Sequence, residues 1–260
     1  MWKKVEGIMN YRDLFYIFMW RDFQVRYRQA IFGAAWAIIQ PLSLMLLFTF
    51  IFTYAMPVKV STFPFPIFFY AGLLPWTLFS SSITYSIHSI TGNNYLLRKI
   101  YFPRIILPLV GICTAFLDYL IACILLVGLI VFYKIQLSWV ALWFFPLFLL
   151  LLLFIFSMSL ILSVLNVYYR DVGLASSFLI QIIFFATPIL YSIDKIAPHL
   201  KPLIFLNPLT FIVENMRRCL LEQRPVILWQ YIIMFFGLLI FLALSYKFFK
   251  ATERKFVDVL

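Results

Sequence analysis

Charge is scarce in this chain: only 12% of its 260 residues are Asp, Glu, Lys or Arg, where a soluble domain carries about 25%. Acids number ten and histidines two. These shortages leave too few groups for acid–base or metal-centred chemistry. There is no G-x-x-x-x-G-K-S/T phosphate loop, no H-E-x-x-H pair and no acidic cluster that would hold a metal. The expectation is a chain with no catalytic residue, no metal and no cofactor of its own. If it drives transport, another subunit must supply the energy. Cys113, Cys123 and Cys219 show no metal-ligand spacing, and the first two fall inside apolar runs. They read as small buried hydrophobes. The N-terminus does not read as a signal peptide, because residues 10–28 are rich in charge and no small-residue cleavage site follows a short apolar core. No internal repeat or low-complexity tract divides residues 1–260, so they are treated as one membrane domain.

What replaces charge is apolar surface. Hydrophobic residues make up 65% of the chain and aromatic ones 20%, including 31 Phe, 15 Tyr and 7 Trp. A core of this size cannot hide such an excess over the usual ~45–50%, so the solvent for most of it must be lipid. A spanning helix needs about 20 mostly apolar residues, and six runs qualify: 32–54, 65–88, 105–132, 139–165, 173–191 and 227–249. The fold class expected is an all-α membrane protein of six spans. The net charge of +11 does not mark a nucleic-acid binder, because the basic residues lie between apolar runs and form no patch. With the N-terminus inside, fourteen of the 21 Lys and Arg fall on the cytoplasmic side. That bias favours both ends in the cytoplasm. Five of the seven outer ones (Lys195, Lys201, Arg217, Arg218 and Arg224) share residues 192–226.

That outer segment is too long for a turn and too polar for a span. Asn207 is a candidate N-cap and Pro208 suits the first helical position. The pattern predicts two short re-entrant helices dipping into the outer leaflet, with a plain surface loop as the other reading. Non-helical backbone at that depth needs protein or water beside it. At the opposite face, residues 11–28 read as an interfacial helix, with Tyr11, Leu14, Phe15, Phe18 and Val25 roughly on one side and Asp22 interrupting them. It either shapes an entrance or simply anchors the topology.

Asp118 is the one acid within an apolar run. A mid-helix Asp costs ~2.5–3.5 kcal/mol on insertion scales, so it must face protein or water and find a partner such as a hydroxyl or an amide. No second membrane acid, His or Lys lies within another span to complete a proton relay. Two spans carry polar-aromatic stripes at alternating steps of four and three, which place all members on one helix face. In the first span these are Trp36, Gln40, Ser43, Leu47, Phe50 and Tyr54; in the fifth, Ser177, Gln181, Phe184, Pro188 and Tyr191. Lipid does not reward Gln or Ser, so such faces point at a cavity or a partner helix. Aromatic faces suit the apolar faces of sugar rings, and ordinary packing is the alternative.

Four cytoplasmic-side features share an order and spacing: Arg26-Tyr27-Arg28 with Gly33, Trp36 and Pro41; the run from Asn93 to Pro103 followed by Pro108; Tyr169-Arg170-Asp171; and Thr187-Pro188-Ile189-Leu190-Tyr191 paired with Asn207-Pro208. Together they make the chain resemble the membrane subunit of bacterial ABC exporters for lipid-linked polysaccharides of the O-antigen, teichoic acid and capsule type. Ile105 departs from the pattern, since relatives often carry an acid there. The resemblance implies a multi-pass protein of the bacterial inner membrane that forms a homodimer with two separate ABC ATPase subunits, where ATP and Mg would bind. It implies a polyprenyl-diphosphate-linked glycan as substrate, and no nucleic acid. It implies that residues 94–102 form a coupling helix, with Tyr95, Leu96, Leu97, Arg98, Lys99, Ile100 and Phe102 offered to the ATPase. The first and fifth spans would line the conduit through Trp36, Gln40, Ser43, Phe50, Tyr54, Ser177, Gln181, Phe184 and Tyr191. The 192–226 segment would then be an outer gate. Arg26 and Arg28 would either hold the lipid diphosphate or serve as positive-inside anchors and ATPase contacts. Rival readings are a permease for a small drug or lipid, a membrane-embedded enzyme and an assembly scaffold.

Overall fold

In lipid a backbone satisfies its own polar groups only by coiling or by closing a barrel, and each long apolar run here coils. The computed structural model describes residues 11–28, 30–55, 62–100, 102–253 and 256, and the described residues contain helices and no strand. α1 is Arg12–Tyr27. α2 is Trp36–Phe50, preceded by a tight turn at Gly33–Ala35 and continued by a wide π turn at Ile51–Ala55. α3 is Phe65–Ser89, α4 Asn94–Lys99 and α5 Ile106–Phe132. α6 is Phe144–Tyr168, α7 Asp171–Ala186, α8 Lys201–Phe205, α9 Pro208–Arg217 and α10 Leu228–Thr252. The turn into α2 needs Gly33, whose φ of +50° is a conformation that other residues adopt only at a cost.

Among the described residues, five helical stretches are long and apolar enough to cross a membrane: Gly33–Ala55, Phe65–Ser89, Ile106–Phe132, Trp139–Tyr168 and Leu228–Thr252. The run expected at 173–191 is shorter as a helix. α7 has 16 residues, about 24 Å at 1.5 Å per residue, against a hydrocarbon core of ~30 Å. Pro188 sets the stop, since the residue before proline is pushed out of the helical region and Thr187 is extended at φ −90°, ψ 136°. The Tyr191 hydroxyl then donates to the carbonyls of Phe185 (3.1 Å) and Ala186 (3.3 Å), which the stop leaves unpaired.

α3 is the hub. Its window is 78% buried, against 11% for Gly33–Ala55 and 17% for α10, and it packs on α5, α6 and α9. Small and hydroxylated residues permit the close crossings. A Cβ on Gly111 of α5 would sit 3.0 Å from the Ser86 nitrogen of α3, and the Ser86 hydroxyl donates to the Pro108 carbonyl at 3.1 Å. A second cluster lies at the end of the bundle where Phe18 of α1 meets Leu97, Phe102, Ile106 and Val164. One expected face of α1 holds only in part. Tyr11, Leu14, Phe15 and Phe18 pack inward, whereas Val25 is 73% exposed. The helix has left the cluster by then and turned its last residues toward α5.

The segment at 192–226 follows its capping signals. The Asn207 side chain accepts from the Leu209 N–H at 3.1 Å and Pro208 opens α9. α9 is buried along nearly its whole length, including Glu214 and Arg217.

Candidate functional site

Between α2, α3 and α5 lies a recess of about 830 Å³. α2 contributes Trp36, Gln40 and Ser43; α3 contributes Thr77, Ser80, Ser81 and Tyr85; α5 contributes Asp118 and Tyr119. Arg26 and Tyr27, the last residues of α1 with that tyrosine, close one end. Asp118 finds the partners that its position demands. It accepts from the Tyr27 hydroxyl at 2.7 Å and from the Arg26 guanidinium at 2.5 Å, with the Tyr85 hydroxyl at 3.4 Å. Arg26 also lies against Tyr85, its guanidinium carbon 3.6 Å from the ring centroid, and donates to the Tyr85 hydroxyl. Burial and the neighbouring Asp118 carboxylate hold the Tyr27 phenol well above its ordinary range, so it stays a protonated donor.

The first-span stripe therefore divides. Trp36, Gln40 and Ser43 line the recess, while Phe50 and Tyr54 are 61% and 74% exposed on the helix exterior. On α7, Ser177 and Gln181 are exposed. Phe184 packs on Trp76 at 5.5 Å, Pro188 is buried and Tyr191 caps its own helix. Arg28 is exposed, and Arg26 is engaged by Asp118.

The stretch expected to couple to an ATPase forms a helix at Asn94–Lys99. Leu97 and Phe102 turn inward, each under a tenth exposed, and Leu96 is half-buried. The outer surface is Tyr95, Lys99 and Ile100, with Lys99 over the Tyr95 ring at 4.1 Å. The Arg98 side chain and Tyr101 lie outside the described residues. α1 grips this stretch twice. Arg21 donates to the Asn93 side chain at 2.9 Å, and the Phe18 ring meets Phe102 at 5.8 Å edge-on.

At the other end, the Arg217 side chain is 1% exposed. It pairs with Glu214, donates to the Pro188 carbonyl at 3.0 Å and lies 3.9 Å from the centre of the Phe68 ring. The Asn207 amide donates to the Thr187 hydroxyl at 2.9 Å. The two motifs at 187–191 and 207–208 are thereby one structural unit. Sequence reasoning missed Tyr85, Tyr119, Thr77, Ser80 and Ser81. Their only signal was the hydroxyl run Ser80-Ser81-Ser82 inside an otherwise apolar span.

Apolar helices, a polar recess among them and unsatisfied amides on their faces define a multi-pass membrane protein built to pass or hold something polar. A family model described as ABC-2 type transporter matches residues 13–221, and the chain belongs to that family. It is a transporter subunit rather than an enzyme. Among its relatives are two proteins of Klebsiella pneumoniae named O-antigen export system permease protein RfbA. One is 32% identical over 248 residues, covering 91% of this chain and 93% of its own length. The other is 31% identical, with 95% of each chain covered. A protein of the same name from Myxococcus xanthus is 30% identical over 86% of each chain.

Proposed function

We propose that this chain is the channel-forming subunit of an ATP-driven exporter that carries polyprenyl-diphosphate-linked O-antigen polysaccharide outward across the bacterial inner membrane. The observation that carries the reading is the near end-to-end likeness to permeases named for O-antigen export, joined to polar faces that no described residue of this chain satisfies. Ser177 and Gln181 sit on the apolar α7, are exposed and take part in no hydrogen bond among the described residues. Such groups are not left to lipid. A second copy facing them across a conduit would explain the α7 stripe.

In this reading α7 is the fifth of six crossings, both termini are cytoplasmic, and residues 192–226 form a re-entrant outer gate. Two ABC ATPase subunits supply ATP hydrolysis and dock on the surface of Tyr95, Lys99 and Ile100. Large apolar side chains exposed at a cytoplasmic turn call for a partner. The deciding experiment is complementation. In cells lacking the chromosomal copy, this chain with its ATPase restores surface polysaccharide, and Trp36→Ala with Tyr54→Ala lowers it while the complex still assembles. Full export by the doubly substituted complex would refute the aromatic conduit, and no export by the unaltered chain would refute the function.

A further inference from the structure

The recess between α2, α3 and α5 takes in Trp36, Gln40 and Ser43 from the α2 stripe and is otherwise walled by α3, α5 and the end of α1. It lies within one protomer, and its chemistry is specific. We propose that it is a binding pocket for a single neutral, hydroxyl-rich sugar ring, a resting site beside the conduit; this rests on the glycan reading above and names where a sugar is held. Its ~830 Å³ falls within the ~300–1,000 Å³ of small-molecule sites.

Two of its polar groups lack a suitable protein partner. The Gln40 amide makes no hydrogen bond among the described residues. The Tyr119 residue is 4% exposed, and its hydroxyl has no oxygen or nitrogen partner among them, only the Cys123 thiol beside it. A buried hydroxyl without such a partner costs free energy, and Gln40, though exposed, is an amide on an apolar helix that lipid does not satisfy, so a ligand that fills both is favoured. Arg26 uses one terminal nitrogen on Asp118 and Tyr85, which leaves its other N–H groups as donors. The hydroxyls of Thr77 and Ser80 donate to carbonyls of their own helix and so offer lone pairs to the recess. Donors and acceptors thus alternate around a wall that also presents Trp36, Tyr85 and Tyr119, the mixture a sugar ring matches with hydroxyl edges and an apolar face.

The charges argue against the lipid diphosphate here. Among the described residues Arg26 is the only cation on the wall, and Asp118 at 2.5 Å already neutralises it. A diphosphate would face an adjacent carboxylate. An acyl chain would leave the Gln40 amide and the Tyr119 hydroxyl unsatisfied.

The test uses the permease–ATPase complex in lipid nanodiscs. The probe is octyl glucoside with a diazirine in its alkyl chain, beside a diazirine-bearing octyl tetraethylene glycol ether, and labelled peptides are read by mass spectrometry. Glucoside-specific labelling within 36–44, 77–85 and 115–122 is expected, with maltose competing and sodium pyrophosphate not. Gln40→Leu and Tyr119→Phe each remove one hydrogen-bonding group and should weaken glucoside labelling about fivefold, the equivalent of one hydrogen bond of ~1 kcal/mol. Tyr119→Phe is the structural control as well, because a purely structural hydroxyl would change the thermal midpoint and leave labelling alone. Equal labelling by glucoside and ether, or unchanged labelling in both variants, overturns the proposal, and so does competition by pyrophosphate in place of maltose. Export by the same unsubstituted complex in cells is measured in parallel. Export without recess labelling refutes the pocket alone, whereas absent export refutes the function on which it rests.

Discussion

Arg217→Ala should destabilise the protein strongly. The guanidinium is 1% exposed and its partner Glu214 3%. It also donates to the Pro188 carbonyl at 3.0 Å and faces the Phe68 ring at 3.9 Å. Removing one member of a buried pair costs ~3–5 kcal/mol, because the other charge stays buried. Here Glu214 keeps Arg218, whose Nε lies 2.9 Å away, so the lower end applies, about 3 kcal/mol. At ~2–4 °C per kcal/mol for a chain of this length, the midpoint should fall by roughly 6–12 °C. The reporter is Cys219, two residues on and 1% exposed. With Cys113 and Cys123 replaced by alanine, a thiol-reactive maleimide dye added during heating follows release of this segment. The double variant Arg217→Met, Glu214→Leu leaves no charge of this pair buried and should recover more than half of the loss. A single variant melting within ~2 °C of the parent, by the same scaling, would refute the clamp, as would a double variant worse than the single.

Other substitutions separate packing from docking. Tyr95→Ala and Ile100→Ala should lower copurification of the ATPase without moving the melting midpoint, whereas Leu97→Ala, which truncates a side chain 7% exposed, should cost ~2–5 kcal/mol of stability; pull-down and melting on the same preparations distinguish them. Gly111→Ala places a methyl 3.0 Å from backbone atoms of Tyr85 and Ser86 and should destabilise by about 1–3 kcal/mol, read as a lower midpoint. Gly128→Ala, where a Cβ meets nothing within 4 Å, should be neutral or slightly stabilising by the same measurement.

The long helices were legible because hydropathy and length decide them almost alone. Asn207-Pro208 was legible too, since a cap and a first-turn proline act locally. What was not legible depended on tertiary placement. Arg217 counts as an outer surface charge in any tally of loops, yet α9 buries it, because Glu214 one turn earlier and the Pro188 carbonyl offset its desolvation. Leu97 and Ile100 sit three apart in one apolar plug, but one faces the bundle and the other faces away. The hydroxyls of Thr77, Ser80 and Ser81 look like helix-packing residues until α2 and α5 are set beside them.

Asp118 and the end of α1 account for each other. Asp118 lies near the middle of α5, about 18 Å from its first residue at 1.5 Å per residue. An unpaired acid there is costly, and so is an arginine drawn down from the surface. Together at 2.5 Å, with Tyr27 and Tyr85 taking the remaining hydrogen bonds, each removes the other's penalty. This explains why α1, which opens on Arg12 and Asp13, ends at the wall of a recess. The same helix, 16 residues long, is tied near its middle to the coupling stretch through Phe18–Phe102 and Arg21–Asn93. Movement of that stretch therefore cannot leave the recess unchanged unless one of these attachments breaks. The attachment at the recess is a charge pair bound to two tyrosines, while the one at the coupling stretch is a ring edge and a single side-chain hydrogen bond. Strain arriving through that stretch should release the second before the first, so α1 moves with the recess wall as one body.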